Sequence, residues 1–199
     1  MRLLVATRNR GKYQEIARLL QPAGLGTLGL DDAGLVGDAP EIGQTYLENA
    51  AFKAVFWSQQ YEGPVVADDS GLEVEALGGR PGVQSARYGG PGLTDAQRSQ
   101  KLLEEIGAIA GAGRTALYRC VCALANGGNL LASFSGACQG EIAPAPRGTG
   151  GFGYDPIFLF PPLGKTFAEL DPAEKDRVSH RGAAFRSLIE HYKSRGMSA

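Results

Sequence analysis

At 199 residues, with 43% hydrophobic and 21% charged side chains, the chain is long enough to bury a substantial core and has an ordinary globular mix. Its formal net charge of -1 excludes the basic excess of a general nucleic-acid binder, and no apolar run approaches the roughly 20 residues that span a bilayer. Cys120, Cys122 and Cys138 form no C-x-x-C pair; with an amino terminus that lacks an apolar leader, they imply a reduced, cytoplasmic setting.

Arg2–Ala6 reads as a short buried strand. The helix after it, KYQEIARLL, aligns Tyr13, Ile16, Ala17 and Leu20 on one face and stops at Pro22 and Gly24. The connection between them, ATRNRGK, sets Asn9 and Gly11 in a polar loop ahead of Lys12. Free N–H groups of a helix start beside a lysine make an anion site suited to phosphate. It is not a Walker loop, because Ala6 and Tyr13 stand where that pattern needs Gly and Ser or Thr. Taken alone, a plain strand–loop–helix connection explains the stretch as well.

Residues 21–45 are rich in Gly, Asp and Pro, with one weak strand expected near Thr27–Leu30. Thr45 and Glu48 have capping-box spacing for a second helix, along which Leu47, Ala50, Ala51, Ala54 and Val55 keep helical spacing. Glu48 and Lys53, five positions and so about 140° apart, cannot share a face of it. Gly63-Pro64 ends the helix, and Val65–Ala67 predicts a strand running into Asp68, Asp69 and Ser70. Adjacent carboxylates at the end of an apolar strand are costly, since like charges raise each other's pKa and burial penalises both. A cation removes much of that cost. Glu41, Asp68 and Asp69 are all oxygen donors without His or Cys beside them, which suits Mg²⁺. The alternative is that one aspartate caps a turn at Ser70-Gly71 while the other faces water.

Thr94–Ile106 reads as a third helix. Arg114–Leu124 alternates, with Ala116, Tyr118, Cys120, Cys122 and Leu124 on one side, and NGG then turns the chain into the second strand of a hairpin. In GTGGFGYDPIF, glycines flank Phe152, Gly153 and Tyr154 beside Asp155. Such rings can stack on a base and such a carboxylate can accept from ring N–H groups; aromatics merely covering core is the plain alternative. Pro156–Phe160 is expected as a short strand, and a last helix from about Gly182 to Tyr192. Just ahead of it, EKDRVSHRGAAF places Lys175, His180 and Arg181 at a helix start, favouring an anion or a polar base edge. Early strand–helix alternation followed by a hairpin gives an α/β class with a mixed sheet and flanking helices, in one domain over residues 1–199.

Together these stretches lay out a phosphate loop, a carboxylate metal site, an aromatic platform and a polar base reader. From ATRNRGK through YLENAAFKA, ADDSGLEVEALGGRPGVQSARYGG and GFGYDPIF to EKDRVSHRGAAF, the chain strongly resembles the inosine triphosphate pyrophosphatase family. The resemblance implies two lobes around a nucleotide-binding cleft, a homodimer, and Mg²⁺-dependent hydrolysis of ITP, dITP and XTP to nucleoside monophosphate and pyrophosphate. It implies that Thr7, Arg8, Asn9, Arg10, Gly11 and Lys12 cradle the triphosphate, with Lys53 also facing the phosphates. Glu41 and Asp69 become the Mg²⁺ ligands, Asp69 doubling as proton acceptor, and Ser70 a substrate contact. Phe152, Gly153, Tyr154 and Asp155 become the base loop, closed by Lys175, His180 and Arg181. Two departures stand out: the family usually has Gly at Arg8, and Asn at Asp176. A pyrophosphatase of the Maf-like group and a nucleotide sensor without turnover are the alternatives.

Overall fold

The computed structural model describes residues 2–40, 42–107 and 111–195. Leu3–Val5 forms β1, buried throughout. Asn9 then caps α1 (Arg10–Leu20), its side chain accepting from the Lys12 N–H at 3.0 Å. A helical turn containing Pro22 and a left-handed Gly24 (φ 74°) end the helix. The weak strand expected next is real: β2 (Thr27–Gly29) pairs parallel with β1.

Thr45 and Glu48 make the expected capping box at the start of α2 (Tyr46–Ser58), but the buried face is rotated from the expected one. Tyr46, Ala50, Ala54 and Trp57 face inward while Leu47 is 46% exposed, because the two large rings at either end fix the inward side and the alanines between them allow close packing. The next strand also differs. β3 runs from Val65 to Val74, through both aspartates rather than ending at them. No turn forms at Ser70-Gly71, so neither aspartate is a turn cap.

α3 (Asp95–Ile106) is capped by Thr94 and Gln97. β4 (Thr115–Asn126) and β5 (Asn129–Ile142) flank Gly127 and Gly128, whose φ of 56° and 81° suit a two-residue hairpin turn. Asp155–Ile157 forms a helical turn, which shortens the expected strand to β6 (Phe158–Phe160). β7 (Lys165–Thr166) and α4 (Pro172–Val178) were not expected, and α5 spans His180–Ser194.

The strands form one sheet in the order β2-β1-β3-β4-β5-β6-β7. It is mixed, as expected: β1 pairs parallel with β2 and β3, whereas β6 pairs antiparallel with β5 and β7. The chain divides into two compact units. The first comprises Met1–Asp69, Cys120–Gly136 and His180–Ala199, the second Ser70–Arg119 and Ala137–Ser179.

In the first unit the strand period separates two cores. Leu3, Val5 and Val66 pack with Ile16 and Leu20 of α1 and Phe185 and Leu188 of α5. Leu4, Ala6, Val65 and Ala67 pack with Ala50, Ala54 and Trp57 of α2. Helices therefore cover both faces. In the second unit Tyr118, Phe158 and Phe167 form an aromatic cluster, with Phe158 4.5 Å from Tyr118 and 4.7 Å from Phe167 between ring centroids. Leu102 and Ile106 of α3 complete that core.

Candidate active site

Successive residues of a strand point to opposite faces. Asp68 therefore shares the face of Val66, toward α1 and α5, and Asp69 the face of Ala67, toward α2. Each meets its own cations. Asp68 Oδ2 lies 3.1 Å from Arg181 Nη2, 3.3 Å from Arg181 Nε and 3.3 Å from Lys12 Nζ. Arg181 also pairs through Nη1 with Glu15, a buried acid of α1. On the other face, Asp69 Oδ1 lies 3.5 Å from Lys53 Nζ, and Oδ2 accepts from Asn49 at 3.2 Å. This is why the strand tolerates two adjacent carboxylates.

The two acids are tuned in opposite directions. Burial opposes the ionisation of Asp68, but the charges of Lys12, Arg181 and Lys53 outweigh it and hold the carboxyl well below its usual range. For Asp69 burial wins over Lys53, Lys12 and the Asn49 hydrogen bond, and its pKa is raised. Asp68 also faces the Cys120 thiol, 3.9 Å away, whose pKa is pushed up to about 12 by burial and then by the aspartate's charge.

Asp68 Oδ1 is buried and makes no hydrogen bond. Asp69, an oxygen donor on the opposite face and less completely buried, is the carboxylate whose chemistry suits a hard divalent cation that fills its shell with water and phosphate oxygens. No cluster of three His, Cys, Asp or Glu side chains able to hold a metal occurs among the described residues. Glu41, the other expected ligand, lies outside them.

The loop expected to cradle phosphate leads into α1: Thr7 Oγ1 accepts from the Asn9 N–H at 3.2 Å, and Arg10 and Gly11 open the helix. The guanidinium of Arg8, expected in the same cradle, is engaged by Asp31 and the carbonyls of Leu35 and Gly37. Ser70 follows Asp69 on β3, half-buried.

Lys175 and the His180-Arg181 pair do not share a helix start. Lys175 is inside α4, in the second unit, while His180 and Arg181 open α5 in the first. The extended Ser179 separates the helices. Arg181 is 2% exposed and held by two carboxylates, so its contacts are those of an anchor for Asp68. His180 is buried beside it.

In the second unit Asp155 accepts from the Phe152 N–H at 2.9 Å and pairs with Lys175. The Lys175 ammonium sits 5.0 Å from the Phe152 ring centroid, a cation over an aromatic face. Tyr154 is buried, its hydroxyl donating to Ser85 O at 2.9 Å. It anchors the loop instead of presenting a ring, which leaves Phe152 as the half-buried aromatic. Gly153 donates to Asp95 at 2.8 Å. Glu15, Asn49, Ser85 and Asp95 were missed by sequence reasoning. Asp95 sat in a visible helix cap; nothing local marks the other three, whose partners lie far along the chain.

Residues 3–191 match the model of the Ham1 family. A dITP/XTP pyrophosphatase of Geobacillus kaustophilus is 47% identical over 96% of this chain and 94% of its own. A dITP/XTP pyrophosphatase of Thermus thermophilus is 48% identical over 97% and 92%. Among solved structures, a HAM1 protein from Coxiella burnetii superposes with a TM-score of 0.85 at 41% identity, covering 98% of this chain and 99% of that one.

Proposed function

Because the chain belongs to the Ham1 family, we propose that it is a nucleoside triphosphate pyrophosphatase, hydrolysing ITP, dITP and XTP to the monophosphate and pyrophosphate. The relatives named above are dITP/XTP pyrophosphatases by name. The observation that carries the proposal is the Asp68-Asp69 pair, split between two faces of β3 with Lys12 and Lys53 beside it.

In this scheme Asp69, its pKa raised by burial, takes the proton of the attacking water. Lys12, Lys53 and the N-terminus of α1 stabilise charge building on the leaving pyrophosphate. Mg²⁺, held by Asp69 with Glu41, would neutralise phosphate charge when bound. Arg181 keeps Asp68 ionised and in place. Phe152 offers a ring for the purine, and Lys175 is donor-only, suiting the C6 oxygen of hypoxanthine and xanthine. Adenine's 6-amino group would meet it donor against donor. We further propose a cytoplasmic homodimer acting on small nucleotides, not nucleic acid. No helix among the described residues is long and apolar enough to cross a membrane.

The test is pyrophosphate release with Mg²⁺ from ITP, dITP, XTP, ATP, GTP, CTP and UTP. One unpaired buried donor costs about 1–3 kcal/mol, so ITP and XTP are expected to exceed ATP by about 5- to 150-fold in kcat/KM. GTP, which shares the C6 oxygen, is expected to be the strongest ordinary competitor. A preference for pyrimidines, or tight binding without pyrophosphate release, would overturn the proposal.

A further inference from the structure

Arg8 lies in the phosphate loop, but every nitrogen of its guanidinium is directed elsewhere. Nη1 pairs with Asp31; Nη2 donates to Leu35 O at 2.8 Å and Gly37 O at 2.7 Å; Nε donates to Gly37 O at 3.2 Å. Asp38 stands 3.8 Å from Nε, and the guanidinium carbon is 5.7 Å from the Trp57 ring centroid. All of these partners belong to the first unit.

The segment so gripped also rests on the core beneath α2 through Ala33, Leu35 and Ala39. Its first half is held by backbone bonds from Ala33 to Gly29, Gly34 to Asp31 and Leu35 to Leu30. Beyond Leu35, Val36 is 89% exposed and Gly37 adopts φ 88°, a conformation that leaves its carbonyl for Arg8. A planar fork with donors on three nitrogens can bind two carbonyls and a carboxylate at once, which a lysine cannot. Three residues past Asp38 the chain reaches Glu41.

We propose that Arg8 is a positioning residue: it fastens Asp31–Asp38, the stretch that precedes Glu41 in the sequence, to the phosphate loop. The consequence for metal use rests on the proposed role of Glu41; the clamp itself does not. Loss of the fork lowers the population of the ordered segment, and apparent affinity falls in proportion to that population.

Hydrogen exchange of residues 31–40 in wild type, Arg8→Lys and Arg8→Ala tests the clamp, with exchange in β1 and β3 reporting that the fold is intact. It is paired with Mg²⁺ titration of ITP hydrolysis and metal-free binding of a non-hydrolysable ITP analogue. In Arg8→Ala, exchange in 31–40 is expected to rise about tenfold, and half-saturating Mg²⁺ about 3- to 10-fold. The kcat at saturating Mg²⁺ and metal-free analogue affinity are expected to stay within about twofold. Arg8→Lys is expected to fall between, since it keeps the charge and loses the fork. Unchanged exchange in 31–40 overturns the clamp. So does loss of metal-free affinity with an unchanged Mg²⁺ requirement, the signature of direct phosphate contact. A wild-type protein that releases no pyrophosphate sinks the proposed activity, while exchange still decides the clamp.

Discussion

Substituting Asp69 by asparagine keeps its size and its place on β3 but removes a carboxylate whose pKa burial has raised. Turnover is expected to fall by about 100- to 10,000-fold with the melting temperature little changed; near wild-type hydrolysis by a folded Asp69→Asn protein would displace Asp69 from the mechanism. Asp68→Asn should act mainly on stability. It leaves buried Arg181 with one of its two carboxylates gone, and breaking such a pair costs about 3–5 kcal/mol. At about 2–4 °C per kcal/mol for a chain of this size, the melting temperature should drop by about 6–20 °C. The pH dependence has a definite sign. Asp68's folded pKa is depressed, so its contribution is complete above the unfolded value near about 4 and is lost as pH falls through the lower folded value. Urea midpoints of wild type and Asp68→Asn should therefore differ most at pH 7 and only begin to narrow as pH falls below about 4.

At the level of elements, Gly136 shows how one missing side chain seats a helix. A Cβ there would lie 2.2 Å from His180 O and 2.6 Å from Ala184 N, both backbone atoms at the start of α5. Gly136→Ala is expected to push that start away, destabilising by about 1–3 kcal/mol and loosening Arg181 from Asp68. Calorimetry and ITP hydrolysis should both register the change; an unaltered protein would mean the contact is not close in solution. Elements whose signals are local were legible in the sequence. The caps at Thr45 and Thr94, the Gly127-Gly128 turn and the apolar face of α1 are all written within a few residues. The extent of β3 was not, because Asp-Asp-Ser-Gly reads as a strand ending unless its countercharges are known. The short α4 was passed over although Asp171, Pro172 and Glu174 carry a capping box. The acidic pair and Phe152 were legible from residue type. The commitment of Arg8, Tyr154 and Arg181 to other partners was not, since each contact joins distant segments.

Across the whole molecule, each compact unit is assembled from separated stretches of chain, and this imposes an order on synthesis. Asp68 and Arg181 are 113 residues apart, so at about 5–20 residues per second a ribosome needs about 6–23 s to supply the guanidinium after the carboxylate. Until then Asp68 must stay hydrated, because burying it with Lys12 alone leaves its charge undercompensated. The unit that contains the amino-terminal strand is thus the last to close. The other ends at Ser179 and has every segment it needs before α5 emerges. Ribosome-stalled chains with α5 still in the exit tunnel are expected to be cut within residues 1–69 by a brief protease pulse yet protected in residues 70–119. Release of α5 should then protect the amino-terminal stretch as well, so that the first part of the protein to be made is the last to be finished.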